Sequence, residues 1–195
     1  MSKGFLSRQV VFVLMIGMVV LCMMLVGACA EGNGTGTQAT PTIVAMDASW
    51  HIRYADVKSA KQDPDLNVIL SGTVLSLKPA QMSNGIVTTD AVFHVTHIAW
   101  NPQKLSIGST ILVRAPGGTI GNTRYEIDDF PMYRVGEQDI LFLHVDQRTG
   151  LAGTLGGPSG RLLVQNGIVK PLNTEGMNVP PNTSENAFLA SIPSA

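Results

Sequence analysis

From residue 67 to residue 172 the chain is divided into short β-type runs, none long enough or suitably spaced to be a helix. The runs are 67–77 (NVILSGTVLSL), 86–100 (IVTTDAVFHVTHIAW), 109–115 (STILVRA), 123–127, 138–145 (QDILFLHV), 151–155 and 161–170. Turn signals separate them: Ser83-Asn84-Gly85, Asn101-Pro102, Pro116-Gly117-Gly118, Gly156-Gly157-Pro158 and Asn166-Gly167. β-Branched and aromatic residues suit a pleated, half-buried surface, whereas Gly, Asn and Pro supply the dihedrals of tight turns. Asn166-Gly167 between LLVQ and IVK predicts a type I′ hairpin, because both central residues of that turn need positive φ. Strands spaced by about 8–12 residues, with no helical period between them, predict an all-β domain, either a small antiparallel barrel or a sandwich.

Alternation sharpens two of these strands. In 86–100, Ala91, Phe93 and Val95 share one face while Asp90, Val92, His94 and Thr96 take the other. In 140–145 both faces are apolar, which predicts a strand covered on both sides. Helices are expected only at the edges, over 55–62 and over 185–191, the second with Asn182 as N-cap and Glu185 three residues on as its capping partner. Gly176 and Pro180-Pro181 predict that the tail, 173–195, is loosely attached.

The N-terminus fixes an address. Lys3 and Arg8 precede an unbroken apolar or small run from Val10 to Gly27, the n-region and h-region order of a secretory signal. The run closes as Leu25-Val26-Gly27-Ala28-Cys29, which resembles the lipobox of bacterial lipoproteins. That resemblance implies a diacylglyceryl thioether on Cys29, cleavage after Ala28, and a mature chain held on the extracytoplasmic side of a membrane. Cys22 does not fit the pattern, because Leu21 precedes it. The alternative is an uncleaved transmembrane anchor, since about 18 apolar residues approach a membrane span. Residues 30–41 (AEGNGTGTQATP) hold one charge and no large apolar side chain, so 29–48 is expected to be a flexible tether between the signal, 1–28, and the domain, 49–172.

Charge and cysteine content narrow the partners. Without Lys3 and Arg8, the chain from Cys29 onward carries a net charge of about −3, against −1 for the whole. Nucleic-acid binding needs a basic stripe, so no nucleic-acid partner is expected. Cys22 and Cys29 are the two cysteines of the chain, so the domain must be held by its core without a disulfide.

Further residues carry a second resemblance: Gly72-Thr73-Val74, Val113-Arg114-Ala115-Pro116-Gly117-Gly118, Val135-Gly136-Glu137 and Ile140 to Leu143. This order resembles a group of uncharacterised secreted bacterial β domains. It is also distantly similar to the OB-type barrel of netrin-like domains and tissue inhibitors of metalloproteinases. The likeness, over 68–169, implies an OB-like barrel. Protease inhibition does not carry over, because those inhibitors use a free N-terminal cysteine and disulfides.

No motif points to catalysis or metal. His94 and His97 form an HxxH, but residues three apart on a regular strand point to opposite faces and could not converge on zinc. His51 and His144 are isolated. Gly157-Pro158-Ser159-Gly160 lacks the final glycine of a nucleophile elbow, Arg161 standing there instead, and reads as a tight turn. Gly117-Gly118-Thr119-Ile120-Gly121 lacks the lysine of a phosphate-binding loop. Asp128-Asp129 with Glu126 lacks the spaced oxygens of a calcium loop. Segment 117–134 (GGTIGNTRYEIDDFPMYR) is where aromatic and charged residues crowd, and Arg124, Tyr125, Phe130, Tyr133 and Arg134 are the candidate partner-binding residues. The competing expectation is that Phe130 and Met132 plug the barrel end.

These features predict a non-enzymatic, membrane-anchored monomer with a binding or envelope role and no cofactor beyond the Cys29 lipid. An exported hydrolase with a dispersed site, or a protease-inhibitor-like module, are the alternatives.

Overall fold

The computed structural model describes residues 40–193. Cys29, the apolar N-terminal segment and the first part of the expected tether lie outside the described residues.

In chain order the elements are β1 (Thr42–Ala45), α1 (Val57–Ala60), β2 (Val68–Leu77), β3 (Gln81–Ser83), β4 (Ile86–Trp100), β5 (Thr110–Pro116), β6 (Gly118–Ile120), β7 (Thr123–Glu126), β8 (Gln138–Val145) and β9 (Leu151–Thr154). A 3-10 turn (Gly157–Gly160), β10 (Arg161–Gln165), β11 (Ile168–Pro171) and α2 (Glu185–Ala190) complete the set. The main sheet runs β11-β10-β8-β2-β4-β5-β9, and β9 pairs back onto β8. That last pairing closes β8-β2-β4-β5-β9 into a barrel, so the sandwich alternative does not form. Numbered one to five in chain order, the ring strands follow 1-2-3-5-4-1, with β5 and β9 the parallel pair. This is the strand order of an OB-type barrel.

Side-chain alternation sorts the apolar residues into two cores. Val68 and Leu70 of β2, Phe93 of β4, Val113 of β5, and Leu141 and Leu143 of β8 fill the barrel. The intervening residues Ile69, Ile140 and Phe142 point outward into a second cluster with Tyr54, Leu162, Met177, Phe188 and Leu189. Ile140, Leu141, Phe142 and Leu143 are all fully buried, as expected of a strand covered on both faces. Burial of this kind supplies about 25 cal/mol per Å² of apolar surface, the main force holding the barrel.

Several local expectations need correction. Part of the expected tether, 29–48, is structured: β1 pairs in parallel with β7, and Met46 and Ala48 lie against the barrel core, followed there by Trp50 of the domain. The tail is not loosely attached, for Met177, Phe188, Leu189 and Ile192 are buried in the outer core. Its helix is capped by Ser184, whose hydroxyl accepts from the Ala187 amide at 3.2 Å. Asn182 instead adopts φ 60° at the preceding turn. Glu185 is therefore no capping partner; its carboxylate accepts from Ser71 Oγ at 2.5 Å and from Gln138 Nε2 at 2.8 Å, tying the helix to β2 and β8. The hairpin at Asn166-Gly167 forms with φ of 53° and 75°, as type I′ requires.

Candidate functional site

Segment 117–134 leaves the barrel after β5 and returns at β8, and two glycines set its departure. Gly118 has φ 137°, and a Cβ there would run into Thr89 Oγ1, so only glycine fits. The chain then forms a hairpin, β6 with β7, onto which β1 adds as an edge strand. At the tip of this three-stranded flap β1 is tied to the β6–β7 turn: the Thr42 amide donates to the Asn122 carbonyl at 2.9 Å, and Asn122 Nδ2 donates to the Thr40 carbonyl at 3.2 Å.

Beyond β7 the segment turns back over the barrel end. Phe130 and Tyr133 are 2% and 1% exposed and belong to the barrel core, so neither is available to a partner. Tyr133 meets Phe93 edge-on with ring centroids 5.0 Å apart, and its hydroxyl lies 2.9 Å from Thr154 Oγ1. Burial pushes the Tyr133 phenol up to about 12, so it stays neutral. Trp50 stacks at a tilt on Phe130 and donates to Asp129 Oδ2 at 3.0 Å. Of the five candidate residues, Arg124 and Arg134 are exposed and Tyr125 is half-buried. Arg124, Met132 and Arg134, with Glu126 and Asp128, border a recess of about 390 Å³. Met132 is only partly buried, so the plug is Phe130 and Tyr133 rather than Phe130 and Met132.

The device that holds this segment is a buried arginine. Arg161, the first residue of β10, is fully buried, and its guanidinium carbon lies 3.9 Å from the Tyr133 ring centroid. It donates from one terminal nitrogen to the Pro131 carbonyl at 2.5 Å and from the other to Glu137 Oε2 at 2.7 Å. Its Nε lies 3.4 Å from Asp139 Oδ2, too far and poorly aligned for a full hydrogen bond. Asp139 is itself fully buried, and neither carboxylate oxygen has a hydrogen-bond partner. Burial raises the Asp139 carboxyl to about 7; Arg161 opposes the rise and the Glu137 charge adds to it. One guanidinium thus faces two carboxylates, and the second holds a proton easily. No sequence motif marks Arg161, because its partners at 131, 137 and 139 reach it from a neighbouring strand and loop.

Other sequence features resolve into structure. The register of β2 on β4 pairs Thr73 with His94 and Ser71 with His97, leaving Thr96 as an extra residue in a bulge. Both histidines therefore share the outward face, contrary to the expectation for a regular strand. His94 Nδ1 contacts the Ser109 carbonyl at 3.1 Å, and His144 Nδ1 the Asp65 carbonyl at 2.8 Å. His51 is exposed. Among the described residues, no three His, Cys, Asp or Glu side chains are arranged to hold a metal ion. Ser159 Oγ donates to the Gly156 carbonyl at 2.7 Å and accepts from the Tyr54 amide at 2.8 Å, so it braces the 3-10 turn. Gly117 to Gly121 belongs to the flap.

Among the described residues no helix is long and apolar enough to cross a membrane. Comparison of the chain with protein-family models, with curated proteins and with solved structures finds no match.

Proposed function

We propose that the chain is an exported lipoprotein, anchored through a diacylglyceryl group on Cys29, whose barrel is a non-enzymatic binding module outside the membrane. The observation that carries the reading is the order of three parts: a basic end and apolar run closing at Val26-Gly27-Ala28-Cys29, a Gly- and Thr-rich linker, and then a barrel filled by its own side chains. A filled barrel leaves ligand recognition to its outer surface. The surface best furnished for a protein partner is the recess beside the flap, where Arg124 and Arg134 stand exposed with Tyr125 close in the chain. Arg and Tyr combine a large contact area with hydrogen-bonding groups, and here they sit on a segment fixed from beneath by Arg161.

The anchor is tested by growing the producing cells with a labelled fatty acid. Wild-type chain takes up label and fractionates with membranes; Cys29→Ala takes up none and keeps residues 1–28. Label retained by Cys29→Ala overturns the reading.

A further inference from the structure

We propose that Asp139 and Arg161 form a proton-operated latch on segment 127–134: a neutral Asp139 leaves the guanidinium to the Pro131 carbonyl and Glu137, and an ionised Asp139 draws it away and releases the wall of the recess. The latch lies beneath the surface proposed for a partner, and its working requires neither that partner nor the anchor. Three acceptors surround one guanidinium. Its terminal nitrogens reach the Pro131 carbonyl at 2.5 Å and Glu137 Oε2 at 2.7 Å, whereas Nε stops 3.4 Å from Asp139 Oδ2. A charge-assisted bond needs about 2.7–2.9 Å, so a shift of about half an ångström separates the two arrangements. The fork is planar and rigid, and aligning Nε with Asp139 swings both terminal nitrogens off their present acceptors. The guanidinium also lies against the Tyr133 ring, 3.9 Å from its centroid, so its plane cannot turn without moving Tyr133. Pro131 and Tyr133 both border the recess, so its shape follows the position of Arg161.

What surrounds the Asp139 carboxyl makes it the titrating member. β10 brings Arg161 and, opposite Asp139 in register, Leu163; β2 brings Gly72, with Phe93 of β4 close against it. Segment 127–134 contributes Tyr133, whose phenol burial keeps neutral, and the turn before β8 contributes Glu137. Glu185 is held by Gln138, whose side chain alternates to the opposite face of β8. The Asp139 carboxyl is fully buried, both its oxygens lack a hydrogen-bond partner, and the cation facing it is bonded elsewhere. Burial raises this carboxyl to about 7, with Arg161 opposing the rise and the Glu137 charge adding to it. A buried carboxylate is costly unless paired, so ionisation favours the arrangement in which Arg161 turns to it. Glu137 Oε2 also accepts from the Arg134 amide at 3.0 Å, so departure of Arg161 loosens the segment at Pro131 and at Arg134 together.

The test uses the full chain in detergent micelles between about pH 5 and about pH 8.5, with the Asp139 carboxyl followed by carbon-13 NMR and backbone amides by hydrogen exchange corrected for the intrinsic rate. The expected result is that Asp139 titrates within this range and that protection of the Phe130 and Arg134 amides falls with the same midpoint. The fall should be about tenfold or more, the equivalent of one pKa unit of linkage, while the Phe188 amide in α2 keeps its protection. Asp139→Asn, or Asp139→Ser where the first variant does not fold, removes the pH dependence at Phe130 and Arg134. Glu137→Gln keeps the dependence and moves its midpoint to lower pH, because one like charge is gone. Titration of Asp139 without a change at Phe130 and Arg134, a carboxyl that stays ionised throughout, or an equal fall at Phe188 overturns the latch. So does a pH dependence that persists in the neutral variant, or one that vanishes in Glu137→Gln and thereby assigns the proton to Glu137. No step of the experiment involves the lipid on Cys29 or a partner, so the proposed function stands or falls separately.

Discussion

Two segments of this chain, 117–134 and 173–193, carry few of the periodic signals that mark strands and helices, yet the fold holds them by opposite means. The first is held at a few points: two rings sunk into the barrel end, Phe130 and Tyr133, and the buried guanidinium of Arg161 gripping the Pro131 carbonyl. The second is held broadly, by Met177, Phe188, Leu189 and Ile192 in the outer core and by the Glu185 carboxylate on Ser71 and Gln138. The contrast teaches where each segment is vulnerable. A concentrated anchor fails when one group is removed, because its buried partners are left unpaired. A distributed one loses ground by increments.

The largest expected effect follows from that asymmetry. Arg161→Met removes the donor to Pro131 and leaves Asp139 buried without its cation, which should lower unfolding free energy by about 3–5 kcal/mol. Denaturant titration reads the loss. Amide exchange should show it concentrated in 127–134, with the tail amides near Phe188 retaining their order relative to the rest. Equal loosening of both segments would break the comparison.

Truncations within the first segment should then separate its two parts. Tyr133→Ala empties a site in the core and should cost about 3–5 kcal/mol, while Arg124→Ala and Tyr125→Ala on the flap should shift stability by about 1 kcal/mol or less. Thermal melts of the three variants settle the ranking. A large loss from Arg124→Ala would mean that the flap belongs to the barrel's foundation.

Glu185→Ala should cost about 1–3 kcal/mol, the range for leaving buried donors such as Ser71 Oγ unsatisfied, and should raise exchange in the tail without touching 127–134. A separate prediction concerns pH. With its carboxyl raised from 3.8 to about 7 in the folded state, Asp139 favours the fold while protonated. Its contribution is complete below about pH 4 and is lost as pH rises through about 7. Asp139→Asn should therefore flatten the dependence of melting temperature on pH between 4 and 8, and its gain over wild type should be greatest at the alkaline end. A gain confined to acid would reverse the sign and refute the account.

What could be read from the sequence followed local pattern, and what could not followed contact at a distance. β4 announced itself by alternation at Ala91 and Phe93, β8 by two apolar faces, and the last hairpin by Asn166-Gly167. β1 gave no signal, because four residues pairing in parallel with β7, some eighty positions away, look like the end of a linker. β6 is short and begins at a glycine. The bulge at Thr96 rotates His97 onto the face of His94, and no residue type in that stretch foretells it. At the tail, Asn182-Thr183-Ser184 offers three competent caps, and the helix starts from Ser184 with Phe188 and Leu189 buried. Residue type alone marks Arg124, Tyr125, Phe130, Tyr133 and Arg134 as candidate partner residues, and it cannot distinguish an aromatic that plugs a barrel, as Phe130 and Tyr133 do, from one that meets a partner.

The proposed function rests on anchorage at Cys29, a proposal that the intact mass of the protein isolated from membranes tests most directly. The account predicts a chain that begins at Cys29, lacks residues 1–28 and carries the added mass of a diacylglyceryl group on that cysteine. A chain that retains its N-terminus with an unmodified Cys29 would contradict it.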